Sequence, residues 1–377
     1  MNWDYILKIN IKRASASVCR NRRKLKVAVL AGALCTLLAF NFSSSQAQSK
    51  SYSTLSKAEV ETLLTPQVKL SEVDVHNLER LAGSDGWGDR VHKKLLIYFG
   101  EKSQNDPEAR SKFFEQVYSQ IRLHPDFKDS EIDYHAVIYR SMNEEAFEAG
   151  KKLWLEQAKI KDTVSQVQAN AAWYFQANGE NELAEKFLIA TAKLEPKSQL
   201  RAENLGLFYN SLSRQKTGAE CANYLKKSLL WLEKGQSMGI NSYNLSAMAF
   251  IAFEAKSFVK AQKFAQQTLD SGFEQTDPVS LHYGNILLGR LALRSKDMSQ
   301  AKKHLLESVK FPKGFKFQGE PNMSLAKELL EKGERNAPLQ YFQLCSRFWI
   351  SGKNQLKEWT GLVKQGKIPD FGQSLYY

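Results

Sequence analysis

Little in this chain suits a disulfide-stapled or sheet-built protein. Four cysteines in 377 residues are too few for a disulfide framework. Alternating β-branched runs and Asn-Gly hairpin turns are missing, so no strand pattern emerges. Only nine prolines interrupt the chain, which leaves long stretches free to be helical. No Walker loop, G-x-S-x-G, H-E-x-x-H, C-x-x-C or dinucleotide glycine fingerprint occurs. The six histidines are scattered, none three or four residues from another, which argues against a zinc or hydrolase centre. No catalysis, cofactor or metal is expected on these grounds.

What is present is apolar material and a localised positive charge. Hydrophobic residues make up 43% of the chain and aromatics 11%, enough for one to three globular units or one extended repeat array. The net charge is +13, but residues 1–26 carry eight Lys/Arg against the single acid Asp4. The excess over the rest of the chain is mild and forms no stripe that would track phosphates, so nucleic-acid binding by the body is not expected.

Directly after that basic cluster, Val27–Phe40 reads VAVLAGALCTLLAF, and a polar run follows from Asn41. Fourteen apolar or small residues are short for a spanning helix, which needs about 20, and suit a signal core. Ser45 and Ala47 supply small residues for cleavage after Ala47. The long basic lead leaves a retained inner-membrane anchor open, with the body outside the cytoplasm. Cys35 follows Leu34, against the small residue that precedes a lipidated cysteine. Removal of the signal would leave Cys221 and Cys345, which either pair in an oxidising compartment or act as small buried hydrophobes.

Past a polar linker, residues 48–57, apolar residues recur at three- and four-residue spacing, as in Phe113, Phe114, Val117, Tyr118 and Ile121. Breaks at Gly83 to Gly88, Asp106-Pro107, His124-Pro125-Asp126, Gly179, Glu195-Pro196, Gly239, Asp277-Pro278 and Pro312 to Gly314 mark helices of roughly 12 to 18 residues. Pairs of small residues twelve apart repeat along the chain: Ala172 with Ala184, Ala249 with Ala261, Gly289 with Ala301 and, more weakly, Gly206 with Gly218. Small side chains at these offsets let two antiparallel helices approach closely, and each hairpin leaves an apolar face for the next to bury.

These residues resemble the tetratricopeptide repeat, a helix–turn–helix unit. In the clearest unit, Ser165 to Ser198, the family's small residues correspond to Ala172 and Ala184, its aromatic to Phe175, its turn glycine to Gly179 and its closing proline to Pro196. Its Trp and Leu are replaced by Gln168 and Ala171. The resemblance implies an all-α, right-handed solenoid of helix pairs, with an N-terminal helical region over 58–130, repeats over 131–318 and a C-terminal helical cap over 319–377. That last block resembles the end of a group of bacterial tetratricopeptide proteins, which brings no activity with it. Within it, Asn322 or Ser324 is expected to cap a helix, Pro338 to open one and Gly352 to end it.

The family register puts the first helix of each pair on a concave face. Asn170, Trp173 and Gln176 are expected there, then Asn204, Leu207 and Asn210, then Phe250 and Phe253, and finally Arg290 and Arg294. Asn amides can hold an extended peptide backbone, aromatic faces can grip its apolar side chains and arginines can fork onto a carboxylate. The expectation is therefore a non-catalytic protein- or peptide-binding scaffold, exported or membrane-anchored. A helical enzyme with its site among acids and histidines stays open, as does a regulator whose basic N-terminus meets nucleic acid or anionic lipid. The acidic cluster Asp126, Asp129, Glu131, Asp133 with His135 reads as a turn and helix N-terminus, where the dipole favours negative charge. Gly83–Gly88 reads as an inter-helix loop.

Overall fold

The computed structural model describes residues 55–375, apart from 83–87, 129–136, 240–241, 275–276 and 312–318. The expected signal or anchor at 27–40, the loop 83–87, the acidic positions from Asp129 to His135 and the break at Pro312 lie outside the described residues. So do Cys19, Cys35 and residues 1–54 as a whole.

Among the described residues the chain forms sixteen α-helices and no strand. Two short helices, α1 (Lys57–Leu63) and α2 (Glu72–Leu81), each open with a capping box, Ser56 with Glu59 and Ser71 with Asp74. α3 (Gly88–Lys102) and α4 (Pro107–Leu123) form a hairpin; Asp106 caps α4 by accepting from the Glu108 and Ala109 N–H groups ahead of Pro107. α5 (Glu144–Ile160) packs between α4 and the next hairpin. The hairpins that follow are α6 (Ser165–Ala177) with α7 (Asn181–Leu194), α8 (Gln199–Ser213) with α9 (Gly218–Gln236), α10 (Ser242–Glu254) with α11 (Phe258–Glu274), and α12 (Pro278–Arg294) with α13 (Met298–Glu307). α14 (Ser324–Glu331) and α15 (Asn336–Cys345) make another, and α16 (Lys353–Lys364) follows. No described helix is long and apolar enough to cross a membrane.

The repeating small residues sit at the helix crossings. Ala172, Ala184, Ala249, Ala261 and Ala301 are all 1% exposed or less. A Cβ at Gly289 would stand 2.3 Å from Leu325 Cδ2 and 3.1 Å from His304 Cβ; one at Gly206 would stand 2.7 Å from Leu232 Cγ. Gly218, paired with Gly206 in the sequence, is different: it is exposed, at φ +58°, with open space beyond it. The α8–α9 turn is one residue longer than the α6–α7, α10–α11 and α12–α13 turns, and Gly206 meets Leu232 and Ser228 farther along α9.

Seven residues after Ala172, Ala249 and Gly289 the backbone turns in the same way. Gly179, Lys256 and Lys296 have φ of 74°, 61° and 65° and follow Ala172, Ala249 and Gly289. At each, the next N–H reaches back to the carbonyl five residues earlier: Glu180 to Phe175 at 2.9 Å, Ser257 to Ala252 at 2.8 Å, Asp297 to Ala292 at 2.9 Å. This is the Schellman ending of a helix. The second helix then opens two residues after the left-handed one, which accounts for the spacing of twelve.

The same device recurs in the block expected to be a cap. Ala326 is fully buried, Gly333 seven residues on has φ 85°, and Glu334 N–H bonds Leu329 O at 3.0 Å. The hairpin series thus runs on through α14–α15. Pro338 is the third residue of α15 rather than its first, and Glu334 Oε1 caps that helix by accepting from the Asn336 and Ala337 N–H groups. The cap position of α14 is Met323 rather than Asn322 or Ser324, and Asn322 Oδ1, one residue ahead, accepts from the Ser324 N–H. Gly352 does not end α15; it lies in the turn leading into α16, stacked closely on the Trp349 ring.

α14 is seated by a buried polar latch. His282 Nδ1–H donates to Ser308 O (2.8 Å), and its Nε2 accepts from the Asn322 N–H (3.0 Å). Tyr341 OH donates to Asn322 O (2.7 Å), and Met323 N–H to Ser374 O (2.7 Å). Burial lowers the His282 pKa to about 4, so the imidazole is neutral, as two opposed hydrogen bonds require. Both described cysteines are free thiols, Cys345 buried and Cys221 half-buried, and they stand among apolar neighbours.

Candidate binding face

The first helices α6, α8, α10 and α12 carry the expected site residues, and their surroundings differ along the array. α10 touches α12 and α12 touches α14 directly, so side chains between them are covered. On α6, by contrast, Gln166, Ala169, Trp173 and Gln176 form a half-buried stripe at three- and four-residue spacing. On α8 the half-buried positions are Asn204, Leu207 and Ser211.

Asn170 does not belong to an open face. It is 6% exposed, and its Nδ2 donates to Pro125 O (2.9 Å) and Phe127 O (3.0 Å), while its Oδ1 accepts from Gln166 Nε2 (2.8 Å). Gln166 Oε1 in turn accepts from Arg201 Nη2 (3.0 Å), and Arg201 pairs with Glu195. A chain of hydrogen bonds therefore runs from the 125–127 turn through α6 to α8. It saturates the Asn170 amide, which explains an asparagine among buried neighbours.

Trp173 is half-buried and leans on the core formed by α1 to α8. Asn204 is half-buried and Asn210 is 7% exposed; neither side chain makes a hydrogen bond among the described residues. Leu207 packs on the C-terminal core with part of its surface open.

Phe250 is the second correction. It stands in the register position of Trp173 and Leu207, yet it is 1% exposed and meets the Tyr283 ring edge-on at 6.0 Å. The direct α10–α12 contact covers it. Phe253, one turn on, is half-buried and serves as a platform: the Arg290 guanidinium lies 4.1 Å from its ring centre. Arg290 is also bonded by Nε to Glu328 Oε1 (2.8 Å) and by Nη1 to Glu254 Oε1 (3.3 Å). Its fork is occupied by carboxylates of this chain, so it is not an open receptor for another. Burial raises the Glu328 pKa, an effect that Arg290 opposes. Arg294 is exposed and stacks on Phe258 at 3.7 Å, which leaves its guanidinium edge facing solvent.

The partly open positions are thus Trp173 and Gln176 on α6, Asn204 and Leu207 on α8, with Phe253 and Arg294 toward the turn edge, whereas Asn210, expected on that face, is buried like Asn170. Spacing alone did not reveal the Arg201–Gln166–Asn170 chain or the two lysine-based turns. The signal available for the turns was Lys256 and Lys296 each falling seven residues after a crossing residue, as Gly179 does. Among the described residues no three His, Cys, Asp or Glu side chains converge as a metal-binding group.

The architecture is an all-α solenoid of stacked helical hairpins of the tetratricopeptide type. No family model matches the chain, and no curated protein matches it in sequence. Solved structures of similar course exist. A human IFIT1 dimer with m7Gppp-AAAA is 17% identical over 81% of this chain and 74% of that one, with a TM-score of 0.42. A human IFIT1 dimer with PPP-AAAA is 16% identical over 79% and 74%, with a TM-score of 0.39.

Proposed function

We propose that this chain is a non-catalytic scaffold, exported or membrane-anchored, that holds a protein or an extended peptide against its first helices at α6 and α8. The observation that carries the reading is the composition of that stretch. A half-buried amide without a hydrogen-bonding partner among the described residues, Asn204, lies on the helix that bears Leu207, and the preceding first helix presents Trp173 and Gln176. Amides satisfy the donors and acceptors of an extended backbone, while the indole and the leucine take its side chains. Arg294, held flat on Phe258, offers a cation to an acidic residue farther along. Residues 27–40 supply the export or anchoring signal in this proposal, and the likeness of the C-terminal block to bacterial tetratricopeptide proteins supports an origin in such a cell.

Site-specific photocrosslinking tests the reading. A photoreactive residue at Leu207 or Gln176 is expected to trap the same partner in the native cell. One at Leu230, exposed on α9, is expected not to trap it. Trp173→Ala and Asn204→Asp should each lower the yield by about tenfold, the scale of one lost contact of ~1.4 kcal/mol. Equal trapping from Leu230, or yields unchanged in both variants, would overturn the assignment. Mass spectrometry of the recovered protein reports its mature N-terminus.

A further inference from the structure

The two edges of the hairpin array differ in chemistry. One edge carries the turns within hairpins; the other carries the joints where one hairpin hands on to the next. The turn edge is polar, with Asn178, Glu180, Gln215, Lys256 and Lys296, and a single exposed aliphatic, Val259. At the joint edge large aliphatic side chains stand in solvent at helix ends. Leu123 (58% exposed) ends α4, Ile160 (65%) ends α5, Leu194 (37%) ends α7, Leu200 (53%) begins α8, Met238 (36%) follows α9 and Val279 (38%) begins α12.

Single exposed aliphatics need no explanation, but their concentration on one edge does. Cations are interleaved with them: Arg122 and Lys128 beside Leu123, Lys159 and Lys161 around Ile160, Lys193 and Lys197 around Leu194, and Lys234 near Met238. Of the described acids near these helix ends, Glu195 is engaged by Arg201, Asp277 caps α12 and Glu307 pairs with Lys310, while Asp126, Glu156, Asp162 and Asp270 stand among the cations.

We propose that the joint edge is a docking surface for an anionic phospholipid bilayer. Separate aliphatic tips on successive helix ends, each flanked by Lys or Arg, suit a layer into which side chains insert a few ångströms while cations meet phosphates. A protein partner would call for a contiguous apolar patch with aromatic anchors, and the exposed large hydrophobics named at this edge include no aromatic residue. The chain also carries the same chemistry in its sequence, where Arg22, Arg23, Lys24 and Lys26 precede the apolar run Val27–Phe40. The edge would lay the array against the surface that this run favours.

The test is vesicle flotation with the full chain carrying Leu34→Lys and Leu38→Lys, which remove the contribution of the apolar run. This protein is expected to float with phosphatidylcholine vesicles that contain phosphatidylglycerol, and not with phosphatidylcholine alone. Each cation near such a surface contributes about fivefold, so the charge reversals Lys159→Glu, Lys161→Glu and Lys193→Glu together should weaken binding on the order of a hundredfold. Ile160→Asp with Leu200→Asp should weaken it about tenfold or more. Lys256→Glu with Lys296→Glu, on the other edge, should leave it unchanged. All these positions but the half-exposed Lys161 are exposed, and circular dichroism confirms that each variant folds. Binding unaffected by the joint-edge variants, or lost equally with the turn-edge pair, would overturn the proposal. It would also fall if Ile160→Asp abolished self-association in sedimentation without changing flotation, since the edge would then join copies of the chain.

Discussion

Two positions recur together in this molecule, the helix crossing and the turn seven residues beyond it, and the chain treats them differently. Ala172, Ala249, Gly289 and Ala326 keep every crossing as small as alanine or glycine, whereas the turns alternate between Gly179 or Gly333 and Lys256 or Lys296. Added bulk at Gly289 meets not only the Leu325 side chain but also His304 Cβ and the Ala301 carbonyl of the neighbouring helix, which are fixed by its backbone. A left-handed lysine meets only its own backbone, at a cost of about 1 kcal/mol. The hard constraint is therefore steric and long-range, and the soft one is local.

The strongest way to break this contrast is Gly289→Leu, whose side chain would run into Leu325, His304 and the Ala301 carbonyl. A loss of about 3 kcal/mol is expected in urea unfolding, and a variant as stable as the parent would mean that α12 and α13 do not meet closely there. A comparable effect belongs to the polar joint at α14. The His282 pKa is lowered to about 4 in the folded state, against about 6.5 in an unfolded chain, so the unfolded state binds the extra proton between these values. Stability from this group is complete above about pH 6.5 and declines by roughly 3 kcal/mol as the pH falls toward 4. Unfolding curves across that window should steepen in pH dependence relative to His282→Gln, which loses the titration; superimposable slopes would count against the buried neutral imidazole. The smallest change expected is a gain. Lys256→Gly and Lys296→Gly should each raise stability by up to about 1 kcal/mol by relieving the left-handed backbone, and a loss of that size would show that the lysine heads contribute more than their turns cost.

The crossings were legible because small residues at a fixed interval leave a mark that survives without alignment. The lysine turns were not, since Lys is no turn former and only its position seven beyond Ala249 or Gly289 betrays it. The candidate site divides in the same way. Trp173, Asn204 and Leu207 are half-buried on the first helices. Phe250 holds the same register and is covered, because α10 and α12 touch while the stripe on α6 stays partly open. Arg290 is neutralised by Glu254 and Glu328, residues 36 and 38 positions away in sequence. Asn170 is consumed by a turn 43 to 45 residues earlier. Interval patterns report the geometry within one hairpin; who covers or neutralises a side chain is decided by another hairpin.

Beyond α15 the packing changes from small residues to rings. Phe342, Trp359 and Phe371 crowd together with ring centres 4.9 to 6.1 Å apart, and Ser374 clasps the start of α14 through Met323 and Glu320. Tyr341 and Phe342 of α15 belong to the same buried core as Trp359 and Phe371, so α16 and the segment after it cover that helix. The apolar face of α15 is thus satisfied by an aromatic knot of unlike composition, so the chemistry of that contact departs from the small-residue crossings that join the hairpins before it.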